Sequence, residues 1–127
     1  MIRGFTLIEI LITLVIIAIL ATIGVPSYFH YSNKAKFSEA IQIASSLKHA
    51  VALCVITTGE LHGCMSGEEG IPSAVYDEKN IASSLVNHGV IEIVTKKPAS
   101  RYELMPTLHE GSIEWEAGGD CKAQGYC

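Results

Sequence analysis

The sequence predicts an α+β fold: one long N-terminal α-helix, a membrane stem continuing into an amphipathic half, packed on a small antiparallel β-sheet of about three to four strands. Three observations carry this. The 24 residues from Ile10 to Asn33 contain no Asp, Glu, Lys or Arg, so the chain opens with an uninterrupted apolar stretch. Apolar residues then recur at spacings of three and four as far as Val55, the period of a helix with one buried face. From Gly89 onward the period falls to two, that of strands with one face against a core.

The 127 residues carry 9 basic and 13 acidic side chains, a formal net charge of −4, and 20 of these 22 charges fall in residues 34–127. The length suits one domain. It is divided between a greasy stem and an ordinary soluble head of about 95 residues, small enough to need help in holding its core. A large catalytic domain is thereby excluded. DNA binding is not supported by charge, because affinity for a phosphate backbone comes from clustered Lys and Arg releasing counterions. The densest basic groups, Lys34 with Lys36 and Lys96, Lys97 with Arg101, read as solvated surface.

The first element is the stem. Residues 5–25, at a rise of about 1.5 Å each, make a helix of roughly 31 Å, the thickness of a bilayer's hydrocarbon core. Ala18 and Ala21 imitate the small-residue cleavage site of a secretory signal. Against that reading, the apolar run is long, only Arg3 is basic before it, and Glu9 sits inside it. An ionisable residue within a membrane segment costs about 2.5 to 3.5 kcal/mol on insertion scales, which marks Glu9 as functional.

The run Arg3-Gly4-Phe5-Thr6-Leu7-Ile8-Glu9 resembles the start of type IV prepilins and the related pseudopilins. The resemblance covers about residues 1–40 and implies several things. A membrane aspartyl peptidase cuts after Gly4 and methylates the new N-terminal Phe5. Residues 1–4 are then a leader, 5–26 a transmembrane and assembly helix, and 27–127 the head, with a disulfide-bonded C-terminal loop at 121–127. Phe5, Glu9 and Pro26 are the residues of assembly. Removal of Arg3 places an ammonium on Phe5, four residues from Glu9 and near the same helix face, and methylation keeps its charge. An unpaired carboxylate in lipid or in a dry fibre core is expensive, so the ammonium of a neighbouring subunit is its natural partner. Many relatives have glycine near the position of Ala18, whereas here glycine stands at Gly24 beside Pro26. Any loosening of the stem during assembly is expected to centre there, because proline removes a helical hydrogen bond and glycine lowers propensity.

After Pro26 the helix becomes one-sided. Phe37, Ala40, Ile41, Ala44, Leu47, Val51, Cys54 and Val55 form its apolar stripe, and Gly59 after Thr57-Thr58 is its stop, giving a helix over about residues 5–58. Residues 59–88 read as a loop with turn signals at Gly67-Glu68-Glu69-Gly70 and Ile71-Pro72, and with one short helical turn at Asn80–Val86. Strands follow at Val90–Thr95, Arg101–Leu108 and Ser112–Ala117. Their short connections make an antiparallel meander, with Pro106 marking an edge or a bulge.

Behind a membrane-directing segment, the four cysteines Cys54, Cys64, Cys121 and Cys127 predict two disulfides. Three pairings are possible. The local one, Cys54 with Cys64 and Cys121 with Cys127, is favoured by closeness in sequence. Cys54, His62 and Cys64 lack the fourth ligand and the spacing of a zinc site, and no metal or other cofactor is expected. Glu68, Glu69, Asp77 and Glu78 do not follow the order of a calcium loop. No catalytic residues are indicated: there is no nucleophile elbow, phosphate loop or dinucleotide fingerprint.

The resemblance therefore implies a structural subunit of a type IV pilus, polymerising through its N-terminal helix. Its partners would be other pilin subunits, the prepilin peptidase and N-methyltransferase, the inner-membrane pilus assembly machinery, and membrane lipid before assembly. It would move from the inner membrane to an extracellular fibre serving adhesion, twitching motility or DNA uptake. Two alternatives stand beside it. One is a pseudopilin of a type II secretion system, disfavoured by the terminal cysteine pair and the lack of a calcium loop. The other is a membrane-anchored binding module or minor tip pilin, which has no need of Glu9.

Overall fold

The computed structural model describes residues 4–127, so the expected leader residue Arg3 lies outside the described residues. The chain divides into two units, Met1–Ser32 and Asn33–Cys127, taken here in turn.

A single helix, α1, spans Leu7–Thr58. In the first unit every side chain of α1 before Ser32 is exposed. Two threonine hydroxyls on this stretch are turned back onto the helix: Thr13 Oγ1 donates to the Glu9 carbonyl at 2.7 Å and Thr22 Oγ1 to the Ile19 carbonyl at 2.6 Å. Their polarity is thus satisfied locally, as an apolar surrounding requires. The segment is long and apolar enough to cross a membrane. The helix passes through Gly24 and Pro26 without interruption. Pro26 has no amide to donate, and the next residue, Ser27, gives its hydroxyl to the Ile23 carbonyl at 3.2 Å.

In the second unit the apolar stripe of α1 is the core. Phe37, Ala40, Ala44, Leu47, Val51, Cys54 and Val55 are buried. Ile41, expected in that stripe, is 37% exposed; it lies one position off the buried row, beside Ala40. Gly59, in the left-handed conformation at φ 82°, ends the helix, and its amide donates to the Val55 carbonyl at 2.7 Å.

The sheet has five strands in meander order: β1 Val75–Glu78, β2 Ile81–Asn87, β3 Val90–Thr95, β4 Ser100–His109 and β5 Ser112–Gly118. All neighbours are antiparallel. The fold class is the expected one, but the sheet exceeds three to four strands, and Asn80–Val86 is not a helical turn. Most of that segment is β2. Its pairing with β3 slips between Ile81 and Ser83, so the inward positions are Ile81, Ser84 and Val86. A bulge and a buried serine erase the two-residue alternation that marks a strand. The β2–β3 connection is His88-Gly89, both at positive φ as a two-residue type I′ hairpin requires. Pro106 pairs with Trp115 of β5, beyond Leu104, where pairing with β3 ends; no ladder bond on the β3 side is lost there.

Ile91, Ile93 and Thr95 of β3 are almost fully buried, and with Ile81, Val86 and Leu104 they complete the core against α1. Each of the larger apolar side chains contributes about 1.5 to 3 kcal/mol on burial. The Cys54–Cys64 disulfide ties the end of α1 to the following loop, and Cys121–Cys127 closes the C-terminus. Residues Asp120–Gln124 form a short helix, α2, that runs into that closed segment, where a loop is expected from the sequence. Tyr126 and Tyr102 both lie against Phe37, with ring centroids 5.9 Å away.

Candidate assembly site

The start of α1 is built by a capping box. Thr6 is the N-cap residue: its Oγ1 accepts the Glu9 amide at 3.3 Å, while Glu9 Oε2 accepts the Thr6 amide at 2.7 Å. Thr6 Oγ1 also donates to the same Glu9 oxygen, at 2.9 Å. Glu9 is therefore fixed by local bonds. No partner of Oε1 is found among the described residues. The sequence signal for this, Thr-x-x-Glu ahead of an apolar run, was available at residues 6–9, and Thr6 is the site residue that reading for charge alone misses.

Phe5 precedes the box and is 85% exposed. Phe5, Glu9, Ile10, Ile12, Thr13 and Leu14 line a shallow, largely apolar groove of about 510 Å³. The structure thus brings two of the expected assembly residues, Phe5 and Glu9, to one place. Gly4 borders them, and a Cβ there would meet nothing within 4 Å. Pro26 does not join them, being 17 residues, or about 26 Å, further along α1. The four cysteines belong to the second unit.

Some charges of the second unit are paired on its surface. Arg101 bonds Glu92 and Glu103, at 2.8 and 3.0 Å, on the solvent face of the sheet, and the Glu92 carboxylate raises its affinity for its proton. Asp77 is paired with Lys96, whose ammonium holds its carboxyl below the usual range. His109 meets Glu114 at 2.9 Å. His62 and His88 stack with ring centroids 4.4 Å apart.

Residues 1–25 match the prokaryotic N-terminal methylation motif. The chain is 34% identical over 105 residues to the prepilin peptidase-dependent protein D of Escherichia coli K12, covering 83% of this chain and 71% of that protein. It is 30% identical over 123 residues to a fimbrial protein of Neisseria meningitidis serogroup B, covering 91% and 72%. The fold is similar to the solution NMR structure of the major type IV pilin PpdD from enterohaemorrhagic E. coli, with a TM-score of 0.62 and 23% identity over 71% of this chain and 70% of that one. A long helix on an antiparallel meander, opened by a motif for cleavage and methylation, defines the class, and the chain belongs to the type IV pilin family. Members of this family are structural subunits, not enzymes. Membership implies processing by a prepilin peptidase, anchoring through the apolar helix, and polymerisation with other pilins.

Proposed function

We propose that this chain is a major subunit of a type IV pilus, cut after Gly4, methylated on Phe5 and polymerised through its apolar helix into an extracellular fibre. One observation carries the reading: an otherwise uncharged 24-residue span is preceded by Glu9, which faces the same groove as Phe5. A membrane anchor would use that carboxylate only as a helix cap, which a neutral glutamine supplies equally, and has no use for its charge. A helical polymer does, because the cut creates an ammonium on Phe5, and the Glu9 of one subunit meets the amine of the next. Head-to-tail contacts of this kind do not close, so the pair repeats and sets the axial step. The open space around Gly4 is compatible with processing there, since no packing among the described residues demands glycine at that position. The disulfide-closed terminal segment favours a pilin over a secretion pseudopilin.

Sheared surface fibres, imaged by electron microscopy and identified by intact mass, test this. The fibres should consist mainly of a chain that begins at methylated Phe5, without the four residues of the leader. A chain retaining Met1, a start near Ser27, or fibres in which this chain is a trace component would overturn it.

A further inference from the structure

Tyr28, Phe29, His30 and Tyr31 follow one another on α1, at the end of the apolar span remote from Glu9. Successive residues of an α-helix are turned by about 100°, so Tyr31, Tyr28 and Phe29 fan across about half of its circumference. Within the first unit Tyr28, Phe29 and Tyr31 are 70%, 61% and 69% exposed. Tyr28 meets Phe29 edge to face at 6.2 Å and Tyr31 meets His30 at 6.1 Å, and Tyr28, Phe29 and Tyr31 keep most of their surface outward. Rings spread this widely call for a surrounding broader than a single groove.

Distance identifies that surrounding. From Phe5 to Tyr28 the chain advances 23 residues, about 35 Å as helix, against about 30 Å for a hydrocarbon core. With Phe5 at one surface, the rings emerge in the headgroup layer of the other. Tyrosine is suited to that layer, with an apolar ring and a hydroxyl that must stay wet. We infer that Tyr28, Phe29 and Tyr31 form a collar seated in the headgroup region of a phospholipid bilayer, and that this collar sets the depth of the unassembled subunit. Glu9 lies 19 residues away, about 28 Å along the helix, so the collar holds the assembly carboxylate just inside the opposite surface. The inference rests on the membrane-anchored stage of the proposed function and not on fibre formation.

The full chain, unassembled in vesicles of phosphatidylcholine and phosphatidylglycerol, tests it. Leu20→Trp in a Trp115→Phe background gives one reporter about 12 Å below the collar, and lipids brominated at shallow or deep acyl positions read its depth. With the collar intact, deep bromines should quench most. Replacing Tyr28, Phe29 and Tyr31 together by alanine should lower the ratio of deep to shallow quenching by about twofold, as the span loses its anchor at one surface. Replacement by three leucines keeps the helix apolar and should lower the ratio in the same direction. Wild-type depth in the leucine variant would overturn the proposal, since apolar length alone would then set the position. Failure of wild-type chains to build fibres would count against the pilus reading and leave the depth result standing.

Discussion

Thr6 and Glu9 satisfy one another: the threonine amide and hydroxyl both donate to a single oxygen of the glutamate, at 2.7 and 2.9 Å, and the glutamate amide returns a bond to the hydroxyl. One carboxylate therefore has two separable properties. As an acceptor it starts the helix; as a charge it is available to a second chain. The two can be pulled apart by substitution. Thr6→Val removes the hydroxyl with little change of shape and leaves the Glu9 charge in place. The first turn of α1 should be destabilised by about 1 kcal/mol. Amide exchange over Leu7–Ile10 in micelles should quicken by several-fold, with the head unaffected. Unchanged exchange there would show that the cap contributes nothing.

Close approach of backbone decides a second site. A Cβ on Gly119 would lie 2.4 Å from the Arg101 carbonyl oxygen, and its φ of 98° is unfavourable for any other residue. At Gly111 the φ is also positive, 78°, but nothing lies within 4 Å. Gly119→Ala should therefore cost about 3 kcal/mol or more in urea unfolding, and Gly111→Ala only about 1. Equal effects at the two positions would mean that backbone conformation alone governs both.

Tyr102 gives the head an alkaline limit. Burial beside Phe37 raises its pKa, because the phenolate is poorly solvated there. A pKa raised on folding leaves stability intact below the unfolded value and removes it as the pH climbs toward the folded one. Melting temperature should fall through the alkaline range above ordinary tyrosine ionisation. In Tyr102→Phe this fall should be shallower, and a parallel alkaline decline in the variant would exclude Tyr102 as its source.

Much of this fold is written plainly in the sequence, and the exceptions have physical causes. The helix from Leu7 to Thr58 and strands β3 to β5 announce themselves, because each presents one face to the core with an undisturbed period. Strand β2 hides behind its bulge and the buried Ser84, and β1, exposed along nearly all its length, has no apolar face to reveal. Ile41 satisfies the helical spacing yet stays half in solvent, since the sheet covers a narrower stripe than the pattern allows. At the assembly site, charge in an apolar span singles out Glu9 without any structure. Thr6 becomes visible only when the same glutamate is considered as a hydrogen-bond acceptor.

The two disulfides should differ in reach. Cys54 and Cys64 are fully buried among core residues, whereas Cys127 is exposed at the chain end. Closing such short loops stabilises by roughly 2 to 3 kcal/mol in the chain-entropy model. Cys127→Ser should cost that amount and release α2 and Tyr126 from the core. Cys54→Ser should cost more, since it also leaves a poorly filled site in the core. Non-reducing peptide mapping should yield Cys54 with Cys64 and Cys121 with Cys127; a peptide joining Cys64 to Cys121 would overturn both assignments.

The strongest test of assembly keeps the cap and removes the charge. Glutamine at the third helical position completes a capping box as glutamate does, so Glu9→Gln should preserve the start of α1 and the fold of the head. Insertion should be intact or improved, because an ionisable group has left the apolar span. What disappears is the proposed counter-charge for the ammonium of the neighbouring Phe5. That amine would then be desolvated on docking without a carboxylate to meet it, a cost of several kcal/mol in a dry interface. Glu9→Gln subunits should be cut after Gly4 at the normal rate, accumulate in the membrane and build few fibres, while Thr6→Val subunits, which keep the charge, should still assemble. Fibre yield by shearing and microscopy, set beside processing judged by mass, measures both variants. Abundant fibres from Glu9→Gln subunits alone, with no wild-type chain present, would end the charge-pair mechanism.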